Sequence, residues 1–261
     1  MTASGSRFKI WYQGATDRSV HGDYISRLEA HLKAVADPDF TGQFTGVNPP
    51  ASTTHALTEF RIASAIIRNV VRAEREGYDA VAITHFQDAG LHEAKSAVDI
   101  PVLGLGETTL LYACSLGRKL GLVTINPAFI PWHEDQVIRY GLTQRVVGVR
   151  AVDAKVSDFM RAFATKEGYD ELYPKFAREA KVLLDAGADV IVPAGGLPML
   201  LFGGEKGASI GGAPIVNGLT VLAKMTEMTV KLRRLSGIAV SRRSNYAKPP
   251  AQALDEFMGA P

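Results

Sequence analysis

Short apolar runs, each closed by Gly, Thr or Asn, alternate along the chain with longer stretches whose apolar positions fall three and four apart. Runs of the first kind predict strands and stretches of the second kind predict helices, so the pattern as a whole predicts α/β layers. In the first half the predicted strands are Phe8 to Gly14, Gln43 to Asn48, Tyr78 to Thr84 and Pro101 to Gly106. In the second half they are Lys119 to Ile125, Val146 to Val152, Asp189 to Ala194 and Pro214 to Asn217. The helical stretches are Asp23 to Val35, Thr54 to Glu76, Phe129 to Tyr140, Tyr169 to Asp185 and Leu219 to Leu235. This arrangement predicts an α/β protein of two similar lobes, each a four-stranded parallel sheet flanked by helices. Residues 1–112 form the first lobe, joined by 214–240 because the last long helix can cross back onto it, and 113–213 form the second. The segment 241–261, with paired Arg242 and Arg243 and paired Pro249 and Pro250, reads as a poorly ordered tail.

The halves echo one another locally. GYDAVAITH, from Gly77 to His85, matches GADVIVPAG, from Gly187 to Gly195. In each, Gly closes a helix in a left-handed conformation and the following apolar run makes a strand buried on both faces. His85 and Gly195 therefore fall just past the carboxyl ends of equivalent strands. Ligands bind at that edge of an open α/β sheet, and two facing lobes put both positions on one cleft.

Composition narrows the classes. The 261 residues carry 29 Lys+Arg and 27 Asp+Glu, a formal net charge of +2, which argues against a large nucleic-acid surface. The amino-terminal MTASGSRFKI lacks the apolar core of a signal peptide, and the uncharged stretches from Val190 and from Gly207 are short and broken by Pro and Gly. A soluble, cytoplasmic, homo-oligomeric protein without membrane or nucleic-acid partners is expected. The lone cysteine, Cys114, excludes an internal disulfide and reads as a small apolar side chain on a helix.

Segments spread over most of the chain resemble the aspartate/glutamate/hydantoin racemase superfamily, and within it the hydantoin racemase branch. They are IWYQGATD from Ile10, GYDAVAITHFQDAGL from Gly77, PVLGLGE from Pro101, LGLVT from Leu120, IPWHEDQVIRYGL from Ile130, GADVIVPAGGLP from Gly187 and GAPIVNGL from Gly212. The resemblance implies two α/β lobes with the active site between them and two cysteines, one per lobe, on opposite faces of an acidic carbon. In the hydantoin branch these lie in Cys-Phe-Gly-Asp-Pro-Gly and Gly-Cys-Ala-Gly segments. Here His85 stands at the first and Gly195 at the second, so both thiols are missing. The branch's Asn-Pro-Asn-Thr loop keeps only Thr16.

His85, an imidazole where a thiol base is expected, is thus the main catalytic candidate. Glu107, where the family often has a Glu facing the site, is the second; Asp88 matches the family's loop Asp. Gln13, Thr16, Thr53, Thr54 and Thr124 are nominated to anchor substrate, with the backbone of Ala194, Gly195 and Gly196 facing an anionic oxygen. The expected ligand is a small carboxylate or a hydantoin-like cyclic ureide, handled by acid/base chemistry from one face. No cofactor is required. Alternatives are a decarboxylase, a hydrolase using a divalent metal at His85, Asp88 and His92, or a homologue that binds without catalysis.

Overall fold

Strand β1 (Phe8–Gln13) is buried on both faces apart from Lys9, and it takes a central place in the first sheet of the computed structural model. The structure describes residues 7–51 and 53–259; the start of the amino-terminal segment read for a leader, Ser52 and the end of the expected tail lie outside the described residues. In chain order there follow α1 (Arg18–Val35), β2 (Phe40–Thr45), α2 (Ala56–Arg75), β3 (Ala80–Ile83), α3 (Leu91–Ala97), β4 (Val102–Gly104) and α4 (Leu105–Ala113). The parallel sheet order is β2-β1-β3-β4. The chain continues through β5 (Leu120–Thr124), α5 (Ile130–Arg139), β6 (Val146–Ala151), α6 (Val156–Ala164), α7 (Lys166–Asp185), β7 (Val190–Pro193) and α8 (Gly196–Leu201). A second parallel sheet, β6-β5-β7, results. The short antiparallel pair β8 (Ser209–Ile210) and β9 (Ala213–Pro214) leads into α9 (Gly218–Ser236) and finally α10 (Ala251–Gly259).

The second sheet has three strands, not the four expected. Where a strand was predicted at Pro214 to Asn217, only Ile215 bridges to Ile191. Pro214 has no N–H to give and already pairs with β8, while the Asn217 side chain accepts from the amides of Leu219 and Thr220 and caps α9. Two residues between a proline and a cap leave room for one bridge. Other boundaries shift for similar reasons. Strand β2 starts at Phe40, pairing with Phe8 and stacking on its ring, three residues earlier than its expected start at Gln43. Strand β4 ends at Gly104 because Asp88 accepts the amides of Gly106 (3.0 Å) and Glu107 (2.6 Å) and starts α4 there. Helix α1 begins at Arg18, since the Asp17 side chain accepts from Ser19 N at 2.8 Å, and it is interrupted at His21 (φ −133°, ψ 46°).

Three apolar clusters organise the molecule. One lies between α2, α3 and the outer face of the first sheet, and another between α6, α7 and the outer face of the second. The third joins Ile10 and Ala82 of the first sheet to Leu122 and Val192 of the second, with Leu219, Leu222 and Val230 of α9. Helix α9 packs against α1, α4 and β3. In the segment after Ser241, Arg242 donates to the carbonyls of Lys95 in α3 and of Val98 just beyond it, and Phe257 of α10 packs on the α2 cluster. Among the described residues, no helix is long and apolar enough to cross a membrane.

Candidate active site

The Gly-x-Asp echo builds the same local structure twice. Gly77 (φ 75°) and Gly187 (φ 94°) close α2 and α7 in the left-handed region. Two residues on, Asp79 accepts Lys9 N at 2.7 Å, and Asp189 accepts Lys119 N at 2.7 Å and Arg118 N at 2.9 Å. Each aspartate thereby fastens its strand to the first strand of its own lobe. The register continues to the last paired amides, Thr84 N to Gln13 O and Ala194 N to Val123 O, both 2.8 Å. His85 and Gly195 come next, and both line one cavity of about 480 Å³ between the lobes.

On the first wall His85 Nε2 lies 2.6 Å from Glu59 Oε1, whose residue sits in the first turn of α2. The pair is mostly buried, with side-chain exposures of 17% and 23%. Burial pulls the His85 imidazole down, but the charge and hydrogen bond of Glu59, with a contribution from Asp88, overcome it and leave the pKa raised. Burial pushes the Glu59 carboxyl up, and the charge of His85 reverses this to a net lowering. The couple is therefore an imidazole whose charged form is favoured by its partner. Its Nδ1 has no hydrogen-bond partner among the described residues.

On the facing wall Gly195 has φ 147° and ψ 156°. That region is essentially restricted to glycine, so the backbone itself excludes a side chain here. Gly196 opens α8 and lies so close to α1 that a Cβ on it would sit 2.1 Å from Tyr24 Oη. Thr124 lines the same wall; its hydroxyl lies 3.2 Å from both Ala194 O and His133 Nε2. His133 is fully buried, and burial lowers its pKa to about 4, so it stays neutral near neutrality. Phe44, Ile125, Phe129, Trp132 and Val156 make the cavity's sides apolar.

Of the expected site residues, Thr16, Thr53, Thr54, His85, Thr124, Ala194, Gly195 and Gly196 all line this cavity. Three others are placed elsewhere. Gln13 is fully buried under the loop, accepting from Trp11 Nε1 (2.9 Å) and donating to Gly14 O (2.8 Å). Glu107 pairs with Lys95 Nζ at 2.5 Å and lies outside the cavity lining. Asp88 accepts from Gly106 N, Glu107 N, Gln136 Nε2 (3.0 Å) and Tyr140 Oη (2.6 Å), and it lines a second cavity that shares Glu59, Gln87 and Trp132 with the first. It is a tether between lobes, capping α4 while bonding Gln136 and Tyr140. Burial pushes its carboxyl up to about 6 despite these donors.

The metal set is not assembled either. His85 is held by Glu59, Asp88 by its four donors, and His92 lies edge-on to the Tyr246 ring at 5.8 Å. No group of three or more His, Cys, Asp or Glu among the described residues could hold a metal ion. Cys114 is the half-buried C-cap of α4, away from the cavity. Sequence reading missed Glu59. Glu59 is one of several polar residues in THALTEF, and only packing α2 beside β3 brings it to His85.

Comparison with known proteins agrees with this architecture. The model of the family described as Asp/Glu/Hydantoin racemase matches residues 22–226. A hydantoin racemase of Pseudomonas sp. (strain NS671) is 28% identical over 236 residues, covering 89% of this chain and 88% of that protein. One from Rhizobium meliloti is 28% identical over 206 residues, covering 78% and 80%. The solved structure of an allantoin racemase from Klebsiella pneumoniae shares the fold, with a TM-score of 0.76 at 21% identity over 93% of this chain and 94% of that one.

Proposed function

Since the chain belongs to the Asp/Glu/hydantoin racemase family, we propose that it moves a proton at the acidic ring carbon of a hydantoin-like cyclic ureide, with His85 as the acid/base group. The observation that carries this reading is the His85–Glu59 couple on the wall of an interlobe cavity, at the strand end where the resemblance places a thiol. Glu59 holds Nε2 and orients the ring, which leaves Nδ1 to take the proton and return it. As the carbon is deprotonated, charge moves to a ring oxygen. The amides of Gly196 and Leu197, in the first turn of α8 and without partners within that helix, suit such an oxygen.

A neutral ureide fits better than an amino-acid dicarboxylate. Among the described residues no Lys or Arg lines the cavity, so no side chain of fixed positive charge awaits a carboxylate. The aromatic and aliphatic sides suit an apolar ring substituent. With Gly195 opposite, proton transfer proceeds from the His85 face.

The test is proton exchange at C5 of each enantiomer of 5-benzylhydantoin in D2O, followed by NMR and optical rotation. Deuterium is expected to enter one enantiomer faster than rotation is lost. Inversion that keeps pace with exchange overturns the one-faced mechanism, and exchange no faster than the spontaneous rate overturns the substrate class.

A further inference from the structure

Beneath the cavity one chain of hydrogen bonds runs from the first wall to the second. Its centre is His133 and Gln136, three residues apart on one face of α5 and both buried. Gln136 Nε2 donates to Phe86 O at 2.6 Å and to Asp88 Oδ2 at 3.0 Å. Both partners are acceptors, so the amide nitrogen faces them and Oε1 faces His133 Nδ1, 3.2 Å away. That oxygen can only accept. His133 therefore carries its proton on Nδ1, and its Nε2 is an acceptor for the Thr124 hydroxyl at 3.2 Å. The ring is neutral near neutrality, as this tautomer requires, because burial lowers its pKa to about 4. The Thr124 hydroxyl also lies 3.2 Å from the carbonyl of Ala194, the residue before Gly195. At the other end Phe86 follows His85, whose carbonyl accepts Asp88 N at 3.0 Å and closes the turn. The Phe86 ring meets the His133 ring edge-on at 5.2 Å. Gly106 leaves room for the junction, since a Cβ there would collide with Gln136 Nε2 and Phe86 O.

We propose that Gln136 and His133 are positioning residues that fix where His85 stands relative to the facing wall. A buried polar chain costs desolvation that packed apolar side chains would avoid, and what it gives in return is a single arrangement. Glu59 anchors the His85 ring from α2, which packs on the first sheet and sets no distance to Gly195. The strut from Phe86 O through Gln136 and His133 to Thr124 does set that distance. Neither residue lines the cavity, so neither touches substrate. Gln136 acts through the turn that carries His85, and His133 acts through Gln136 and Thr124. The effect on turnover rests on the proposed ureide chemistry, whereas the effect on the His85 ring does not.

Exchange at C5 of 5-benzylhydantoin and imidazole 15N spectra, in wild type, Gln136→Met, His133→Phe, His133→Asn and Tyr140→Phe, test it. Gln136→Met removes the strut's centre, and kcat is expected to fall about tenfold or more with KM changing less than about threefold, because a displaced proton-transfer group is felt in the transition state. His133→Phe keeps a ring against Phe86 and should do the same, and His133→Asn, which can still donate to Gln136, should recover part of the loss. Tyr140→Phe is the control: it takes one donor from Asp88 and leaves the strut intact, so stability should fall while kcat stays within about twofold. The spectra should show His133 protonated at Nδ1 only, and His85 signals that move in Gln136→Met and not in Tyr140→Phe. Wild-type kcat in Gln136→Met, an equal kcat loss in Tyr140→Phe, or a proton on His133 Nε2 overturns the inference while the proposed function stands. If Gln136→Met does not fold, His133→Phe against Tyr140→Phe decides by the same measures. If wild type does not exchange the probe, the proposed function fails and the His85 signals decide alone: unmoved in Gln136→Met, they overturn the positioning role as well.

Discussion

The walls of the cleft descend from one local plan and end differently. Through Thr84 on one side and Ala194 on the other, helix-closing glycine, strand-fastening aspartate and last paired amide coincide. One residue later the first wall carries an imidazole bonded to Glu59, and the second carries a glycine whose φ and ψ shut out any side chain. The scaffold up to the strand end is set by helix and strand geometry that any apolar sequence of this pattern satisfies. The chemistry is set by the next residue and by what packs beside it. A duplicated frame can thus hold a titratable group on one side and bare backbone on the other without altering the sheets.

Replacing Asp88 tests whether the first wall is held from behind. Asp88→Ala leaves Gly106 N, Glu107 N, Gln136 Nε2 and Tyr140 Oη unpaired, and a stability loss of about 3–5 kcal/mol is expected in denaturant unfolding. Because burial raises the folded pKa of this carboxyl to about 6, its contribution favours the folded state most at low pH and declines as pH rises through about 6. Wild-type stability should carry that component and Asp88→Asn should lack it.

His85→Ala removes the titratable group and leaves both walls bare. Exchange at C5 should fall roughly hundredfold or more, equivalent to about 2.7 kcal/mol, and unfolding should be easier below the ordinary histidine pKa, where Glu59 loses its charged partner. Full activity in that variant would show that the two walls do not differ in the way described. Gly195→Cys makes the opposite attempt. The backbone there is one that a Cβ tolerates poorly, so a loss of about 1–3 kcal/mol in unfolding is expected, and a thiol at this position should not confer inversion unless the loop is rebuilt as well.

Glu59→Gln sharpens the first wall alone. With the carboxylate gone, burial dominates and the His85 pKa drops. The acid limb of the pH–rate profile should then move to lower pH, and turnover should fall about tenfold, about 1.4 kcal/mol of charge-assisted bonding. The stability sign is opposite to the rate sign. The His85–Glu59 pair stabilises most below the ordinary histidine pKa, and that contribution fades as pH rises through the raised folded value, where the basic form needed for proton abstraction grows in. Cys114→Ser has the smallest expected effect: activity is retained, and stability falls by less than about 1 kcal/mol, since the thiol is half-buried at a helix end away from the cleft.

The periodic pattern alone determined the alternation of strands and helices, the pairing of the two halves and the strand-end positions of His85 and Gly195, because these depend on short-range geometry with a fixed repeat. It also placed Thr16, Thr53, Thr54 and Thr124 on the cleft, since each follows a strand or opens a helix. Gln13, nominated for its strand-end position, and Glu107 and Asp88, nominated for the resemblance, lie equally close to strand ends, but their side chains turn to Trp11, Lys95 and the α4 amides. Which way a side chain faces at such a position is decided by its partner, 18 residues away for Asp88 and Gly106, 12 for Glu107 and Lys95 and two for Gln13 and Trp11, and no local period records which is chosen. Glu59 reaching His85 across 26 residues is a result of the same kind. The succession of strands and helices was written in the chain, but the order of strands in each sheet and the hydrogen bonds that make the cleft a site depend on how the elements pack, and only the tertiary structure decided them.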